Sequence, residues 1–279
     1  MAIVDRGLDR APAVIKRVLH AHPIAALETV GAQVALGVRV MQYTVLDGVR
    51  LRTDLVETLK QAAFMSATAF TPTVLVTIPI CVTLSIQFAL VAGQVGASSL
   101  AGAATGMVVI RQGAPLVASL LLATAVGSAV CADLGSRAIR EEIEALQVMG
   151  IDPVRRLVVP RLVAIVVIGI LLTGMTTFVG FIASYLFTVY VQEGTPGSFV
   201  ATFASFSTIG DLWLAIGKSA VFGVIVAVVC CHKGLTTRGG PAGVANSVNA
   251  AVVEAVLLMM IVNLTLSQVY DLVFPRATL

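Results

Sequence analysis

Five stretches of the chain stay apolar for longer than the core helix of a water-soluble protein needs, near residues 62–91, 113–134, 157–190, 208–231 and 250–272. A helix needs about 20 mostly apolar residues to cross a hydrocarbon layer about 30 Å thick, so each stretch predicts a membrane span. The first and third are over-long. The first holds Pro72 and Pro79, seven apart and therefore on one face, where each removes a backbone donor and bends the helix. The third has the length to tilt or to project beyond the bilayer. A further stretch, 24–46, is long enough to cross but carries Glu28, Gln33, Arg39 and Gln42, while Leu27, Val30, Val34, Val38, Met41 and Val45 recur at helical spacing. That periodicity predicts an amphipathic helix lying along the membrane interface, with a sixth span as the alternative.

Between the second and third spans the pattern changes to GSRAIREEIEALQVMGIDPVRRLVVPR, residues 135–161. Ser136 is placed to cap a helix whose stripe is Ile139, Ile143, Leu146 and Met149, with Arg137–Glu141 and Arg140–Glu144 as i,i+4 pairs on the other side. Gly150 offers a left-handed stop, and Asp152-Pro153 forbids continuation. The spacing predicts a stiff connector helix over 136–150 whose apolar stripe must dock. Whether it docks on its own membrane domain or on a separate partner is open from spacing alone.

Composition removes whole classes of function. Hydrophobic residues make up 58% and charged residues 12%, where an ordinary soluble domain carries about 25% charged. The chain is expected to be an all-α integral membrane protein with one membrane domain over 62–272, preceded by a segment 1–61 and followed by a tail 273–279. Its 279 residues leave no room for a separate soluble domain, so catalysis in water is not expected of it.

Charge adds a direction. Eight Lys and Arg precede the first span, Arg137, Arg140, Arg155, Arg156 and Arg161 fall in the 135–161 connector, and Lys233 and Arg238 in the next connector on the same side; Arg111 and Arg276 fall opposite. By the bias of basic residues toward the inside, the N-terminus and the charged connector are expected in the cytoplasm and the C-terminus outside, in a multi-pass protein of the plasma (inner) membrane. The first twenty residues lack an uninterrupted apolar core and include Asp5 and Asp9, so a cleaved signal peptide is not expected. The formal charge of +3 needs no nucleic-acid partner; topology and attraction to anionic lipid account for it.

Candidate chemistry inside the spans is sparse. Gly217-Lys218-Ser219 ends like a phosphate-binding loop, but Leu212 stands where its first glycine belongs and no strand precedes it. Lys218 is expected to snorkel or to pair with Asp211; the sharper reading has it line a lipid headgroup path. Asn263 suits an interhelical hydrogen bond, and Glu254 a pairing with a nearby cytoplasmic Arg. Cys81, Cys131, Cys230 and Cys231 read as small apolar residues, and neither they nor His20, His22 and His232 have metal-ligand spacing. Small residues repeat every four positions at Ser119, Ala123 and Gly127 and at Thr176, Gly180 and Ser184, which lets backbones approach.

The run CADLGSRAIREEIEALQVMGIDPVRRLVVPR, with TPTVLVTIPI in the first span and HKGLTTRGGPAGVANSVNAAVVEAV near the fifth, resembles the MlaE/YrbE permease family, and most of all the A-type YrbE subunits of actinobacterial Mce systems. The resemblance implies the membrane subunit of an ABC transporter that moves lipid between the inner membrane and the outer envelope. It implies that the connector is a coupling helix seated in a groove of a cytoplasmic ATPase dimer, which would hold the ATP and magnesium; no cofactor is implied for this chain. Glu141, Glu142 and Glu144 would then key to basic groups, Leu146, Val148 and Met149 would anchor, and motion would pass through Gly150, Asp152 and Pro153 into the third span. A second permease subunit, a B-type homologue or a second copy, and external Mce/MlaD-like lipid-carrying subunits are the other implied partners. A lipid path is expected near Pro72, Pro79, Lys218 and Asn263. A secondary carrier of a small solute would instead call for inverted repeats and paired midplane charges. A membrane scaffold without transport is the third class.

Overall fold

The computed structural model describes residues 29–44, 46, 55–94, 106, 108–191 and 195–273. Among these the protein is all-helical, with no strand. Helix α1 covers 29–44. It is followed by α2 (Leu55–Gln94), α3 (Val109–Ile139), the short α4 (Glu142–Val148), α5 (Val154–Tyr190), α6 (Pro196–Phe206), α7 (Ile209–Leu235) and α8 (Gly240–Val273). Five of them, α2, α3, α5, α7 and α8, have the length and apolarity to cross a membrane, as their sequence pattern predicts. The predicted residues 24–28, most of the loop between α2 and α3, 192–194 and the tail beyond 273 lie outside the described residues.

The bundle is layered by burial. About 61% of the most apolar window of α3 and of α7 is buried, against 17% for α2 and for α8, so α3 and α7 form the inside and α2 and α8 the flanks. Glycine sets the inner spacing: a Cβ at Gly127 of α3 would stand 2.8 Å from Cys230 Sγ of α7, and one at Gly234 would stand 2.8 Å from Leu134 Cβ. On the other side of the bundle a Cβ at Gly180 of α5 would meet Cys81 Sγ of α2 at 2.8 Å. Both predicted small-residue ladders are thus used inside this chain. All four cysteines are buried free thiols, as their apolar setting predicts.

Two long helices have irregular turns. α3 carries wide π-helical turns at Val109–Gly113 and Leu122–Gly127, and α5 opens with one at Val154–Val158. α2 continues as one 40-residue helix through Pro72 and Pro79.

In α1, Val30, Val34, Val38 and Met41 are exposed, whereas Gln33 and Val40 are buried. The apolar stripe faces away from the bundle and the opposite face docks: Gln33 Nε2 donates to Glu254 Oε1 at 2.7 Å, and Gly37 lies close to Val228. Glu254 also takes Lys233 Nζ at 2.9 Å, so the predicted arginine partner is a lysine. It comes from α7, whose last turn lies nearest.

Candidate functional site

Two places, at opposite ends of the bundle, hold most of the residues that the sequence singles out. The first is the connector between α3 and α5. The expected single helix over 136–150 is corrected here. α3 runs without interruption to Ile139, and Ser136 is no cap: its hydroxyl donates to the Asp133 carbonyl within α3. The chain then bends at Arg140 and Glu141, and α4 begins at Glu142. Glu141 sits at φ 61°, ψ 13°, the one left-handed non-glycine among the described residues, which costs roughly 1–2 kcal/mol. The expected i,i+4 pairs give way to others because the bend changes the register. Arg140 reaches Glu142 at 3.1 Å, and Arg137 reaches back to Asp133 at 3.3 Å.

The far end of α4 is built as expected. Gly150 adopts φ +74°, with its N–H on the Gln147 carbonyl at 3.0 Å, and the Ile151 N–H bonds the Leu146 carbonyl at 2.9 Å. This is the paired closure of a Schellman motif. Asp152 Oδ1 accepts the Val154 N–H at 2.9 Å, and Pro153, already in helical conformation at φ -61°, stands immediately before α5, so Asp-Pro starts α5 as well as preventing continuation of α4. The Asp152 carboxylate lies near the Tyr43 hydroxyl of α1, and its acceptor oxygens and charge raise the Tyr43 pKa.

No residue of α4 is buried. Val148 is 88% exposed and Met149 64%, and Ile151 is exposed beside them. Glu141 and Glu144 are also exposed, while Glu142 and Leu146 are half-covered. The result is an apolar tip on a short helix closed at its far end, with acidic residues at its base.

The second place is a buried polar cluster where α3, α7 and α8 meet. Lys218 is 1% exposed. Its ammonium donates to Ser267 Oγ at 2.8 Å, the Arg111 carbonyl at 3.0 Å and Gln112 Oε1 at 3.4 Å. The expected Lys218–Asp211 pairing is corrected: Asp211 Oδ1 accepts from Arg111 Nε at 2.6 Å, and its Oδ2 closes a capping box with Thr208 at the start of α7. Arg111 also reaches Asp271 at 3.2 Å and lies over the Tyr270 ring, 5.4 Å from its centroid. Asn263 makes the expected interhelical bond, Nδ2 to Gln112 Oε1 at 3.1 Å, and its Oδ1 is buried with no partner among the described residues.

Lys218 and Asn263 are therefore brought together through Gln112. Pro72 and Pro79 belong to α2, which packs chiefly on α5, and they do not join them. Four residues of the cluster, Arg111, Gln112, Ser267 and Asp271, are not among those picked from the sequence. A signal for two of them is there: Asn263, Ser267 and Asp271 repeat every four residues, a polar stripe down an otherwise apolar helix. Arg111 is misread as a loop charge because α3 begins at Val109 rather than near 113.

The family model Permease MlaE matches residues 58–269, a range that includes both places. A probable ABC transporter permease protein of Synechocystis sp. is 35% identical over 172 residues, 62% of this chain and 65% of that protein. Protein TRIGALACTOSYLDIACYLGLYCEROL 1, chloroplastic, of Arabidopsis thaliana is 31% identical over 186 residues, 67% of this chain and 53% of that protein. A probable ABC transporter permease protein of Rickettsia felis is 26% identical over 160 residues, 57% of this chain and 62% of that protein. The aligned part of the chain thus spans less than two thirds of the length of these relatives.

Proposed function

Since the chain belongs to the MlaE permease family, we propose that it is the membrane subunit of an ATP-driven lipid transporter, moved by a separate cytoplasmic ATPase dimer that holds the ATP and magnesium. The observation that carries this reading is the bare apolar tip of α4. Val148 and Met149 stand in the open on a helix closed by its own Schellman motif and followed at once by the capped start of α5. A soluble groove would cover that tip, and Asp152 and Pro153 would pass its displacement into α5. Glu141, Glu142 and Glu144 supply the charge for recognition.

In this reading the connector end of the bundle faces the cytoplasm, as the basic residues favour. The proximity of Tyr43 to Asp152 supports placing α1 at the same end, and an odd number of spans puts the C-terminus outside. The bare flanks of α2 and α8 suit a second permease subunit, a B-type YrbE homologue or a second copy, and external Mce/MlaD-like subunits would pass lipid onward. Pro72 and Pro79 face that flank. Lys218 and Asn263 brace it from within and do not line the path.

Co-purification tests the reading. The full chain, expressed with its neighbouring genes and extracted in detergent, is expected to bring an ATPase with it. Val148→Asp with Met149→Asp is expected to lose the ATPase while the bundle stays folded, and Glu141→Lys with Glu142→Lys to weaken its retention. An ATPase retained at full level by the aspartate variant would refute the docking role of α4.

A further inference from the structure

At the connector end, a cavity of about 360 Å³ opens between the first turns of α2, the last turns of α3 and the start of α5. That volume lies in the range of roughly 300–1,000 Å³ usual for small-molecule sites. Its lining is graded in polarity along the bundle axis. On α2 the charged residue Lys60 comes four residues before Phe64, and on α3 Asp133 comes four residues after Ala129. α2 starts at this end and α3 finishes here, so on both helices the charge lies toward the connector and the apolar residue about 6 Å deeper.

The charges inside do not cancel. Asp133 is occupied by Arg161, which is 3% exposed and fixed by a bond to Asp133 Oδ2 and one to the Leu157 carbonyl, and by Arg137 at 3.3 Å. Glu57 accepts from Gln61 at 2.9 Å. Lys60 is left without an acidic partner among the described residues, so three cations face two carboxylates. Glu142 approaches Arg137 only at 3.9 Å.

We propose that this cavity binds the anionic headgroup of a membrane lipid, a phosphate or carboxylate. Lys60 and Arg137 take the head, and Phe64 and Ala129 receive the first methylenes of the chain. The rigid Arg161–Asp133 pair holds Arg137 in place. A zwitterionic head would bring its own cation against Lys60 and gain less. The site does not require transport: it would select the same lipid in a driven permease or in an inert bundle.

The test uses the full chain in phosphatidylcholine nanodiscs, with Phe64→Trp as reporter in a Trp213→Phe background. Phosphatidylglycerol and phosphatidylcholine carrying a nitroxide near the head serve as quenchers. Phosphatidylglycerol is expected to quench at about fivefold lower mole fraction, the scale of one basic group near a membrane surface. Lys60→Gln is expected to abolish that preference. Arg238→Gln, which removes an exposed cation at the same end outside the cavity, is expected to leave it unchanged. Equal quenching by the two lipids, an unchanged preference in Lys60→Gln, or an equal loss in Arg238→Gln would each overturn the proposal. So would relief of quenching by millimolar inorganic phosphate, which would make it a site for soluble anions.

Discussion

The two ends of the bundle treat polarity in opposite ways. In the Lys218 cluster, charged and amide groups lie inside the protein with their hydrogen bonds turned on one another. In the α4 connector, apolar side chains stand bare beyond the last turn of α3. A buried ion network with its partners in place is costly to disturb and does nothing further once made. An exposed apolar tip adds nothing to the fold until something covers it. Oddity of residue type, such as a lysine in a span, therefore marks a brace here, and ordinary residues in an unexpected setting mark the proposed contact surface.

The largest effect that would test this contrast is Asp211→Ala. It leaves Arg111 largely buried with only the exposed Asp271 beside it and removes the carboxylate arm of the α7 capping box. A loss of about 3–5 kcal/mol is expected, read as a lower melting temperature from Trp213 fluorescence in detergent. A melting temperature equal to the parent's would show that the cluster is no brace. Gly127→Ala comes next. Its methyl would stand 2.8 Å from Cys230 Sγ, and overpacking of this kind costs about 1–3 kcal/mol.

At the connector the expected effects on stability are smaller. Gly150→Ala puts a side chain at φ +74°, roughly 1–2 kcal/mol of strain. Because no residue of α4 is fully buried, the strain is expected to speed amide exchange in 142–151 with little change in the melting temperature; a global loss would mean that α4 is part of the core. Val148→Asp alone is expected to shift stability by no more than about 0.5 kcal/mol. The smallest effect is spectroscopic. Asp152→Asn removes the charge that raises the Tyr43 pKa, so the Tyr43 ring carbon resonances are expected to titrate at lower pH than in the parent. An unmoved titration would break the assigned link between α1 and the connector.

Much of this was legible in the residues. Length and apolarity suffice to find five spans, and Gly150 with Asp152-Pro153 announces the end of α4 and the start of α5, because each of those residue types restricts its own backbone. The start of α4 was not legible. The bend falls at Arg140-Glu141, where neither glycine nor proline marks a turn, while Ser136 looks like a cap although α3 carries on past it. What prolongs α3 is partly tertiary: besides its i,i+4 pair with Arg137, Asp133 is held by Arg161 from α5, a contact that no local pattern reveals. Lys218 was misassigned for a similar reason. Asp211 lies two turns away on the same helix, but the groups that hold the ammonium come from α3 and α8, distant in sequence.

The outward-facing valines of α1 bear on how the molecule floats. With Gln33 tied to Glu254 on the face against the bundle and Val30, Val34 and Val38 turned away on the other, lifting α1 out of a membrane interface would carry the valines into water. In the interfacial placement expected from its periodicity, α1 would work as a waterline, fixing the depth at which the hull of five helices rides. A thinner or thicker bilayer must then deform at the far leaflet before it shifts this one.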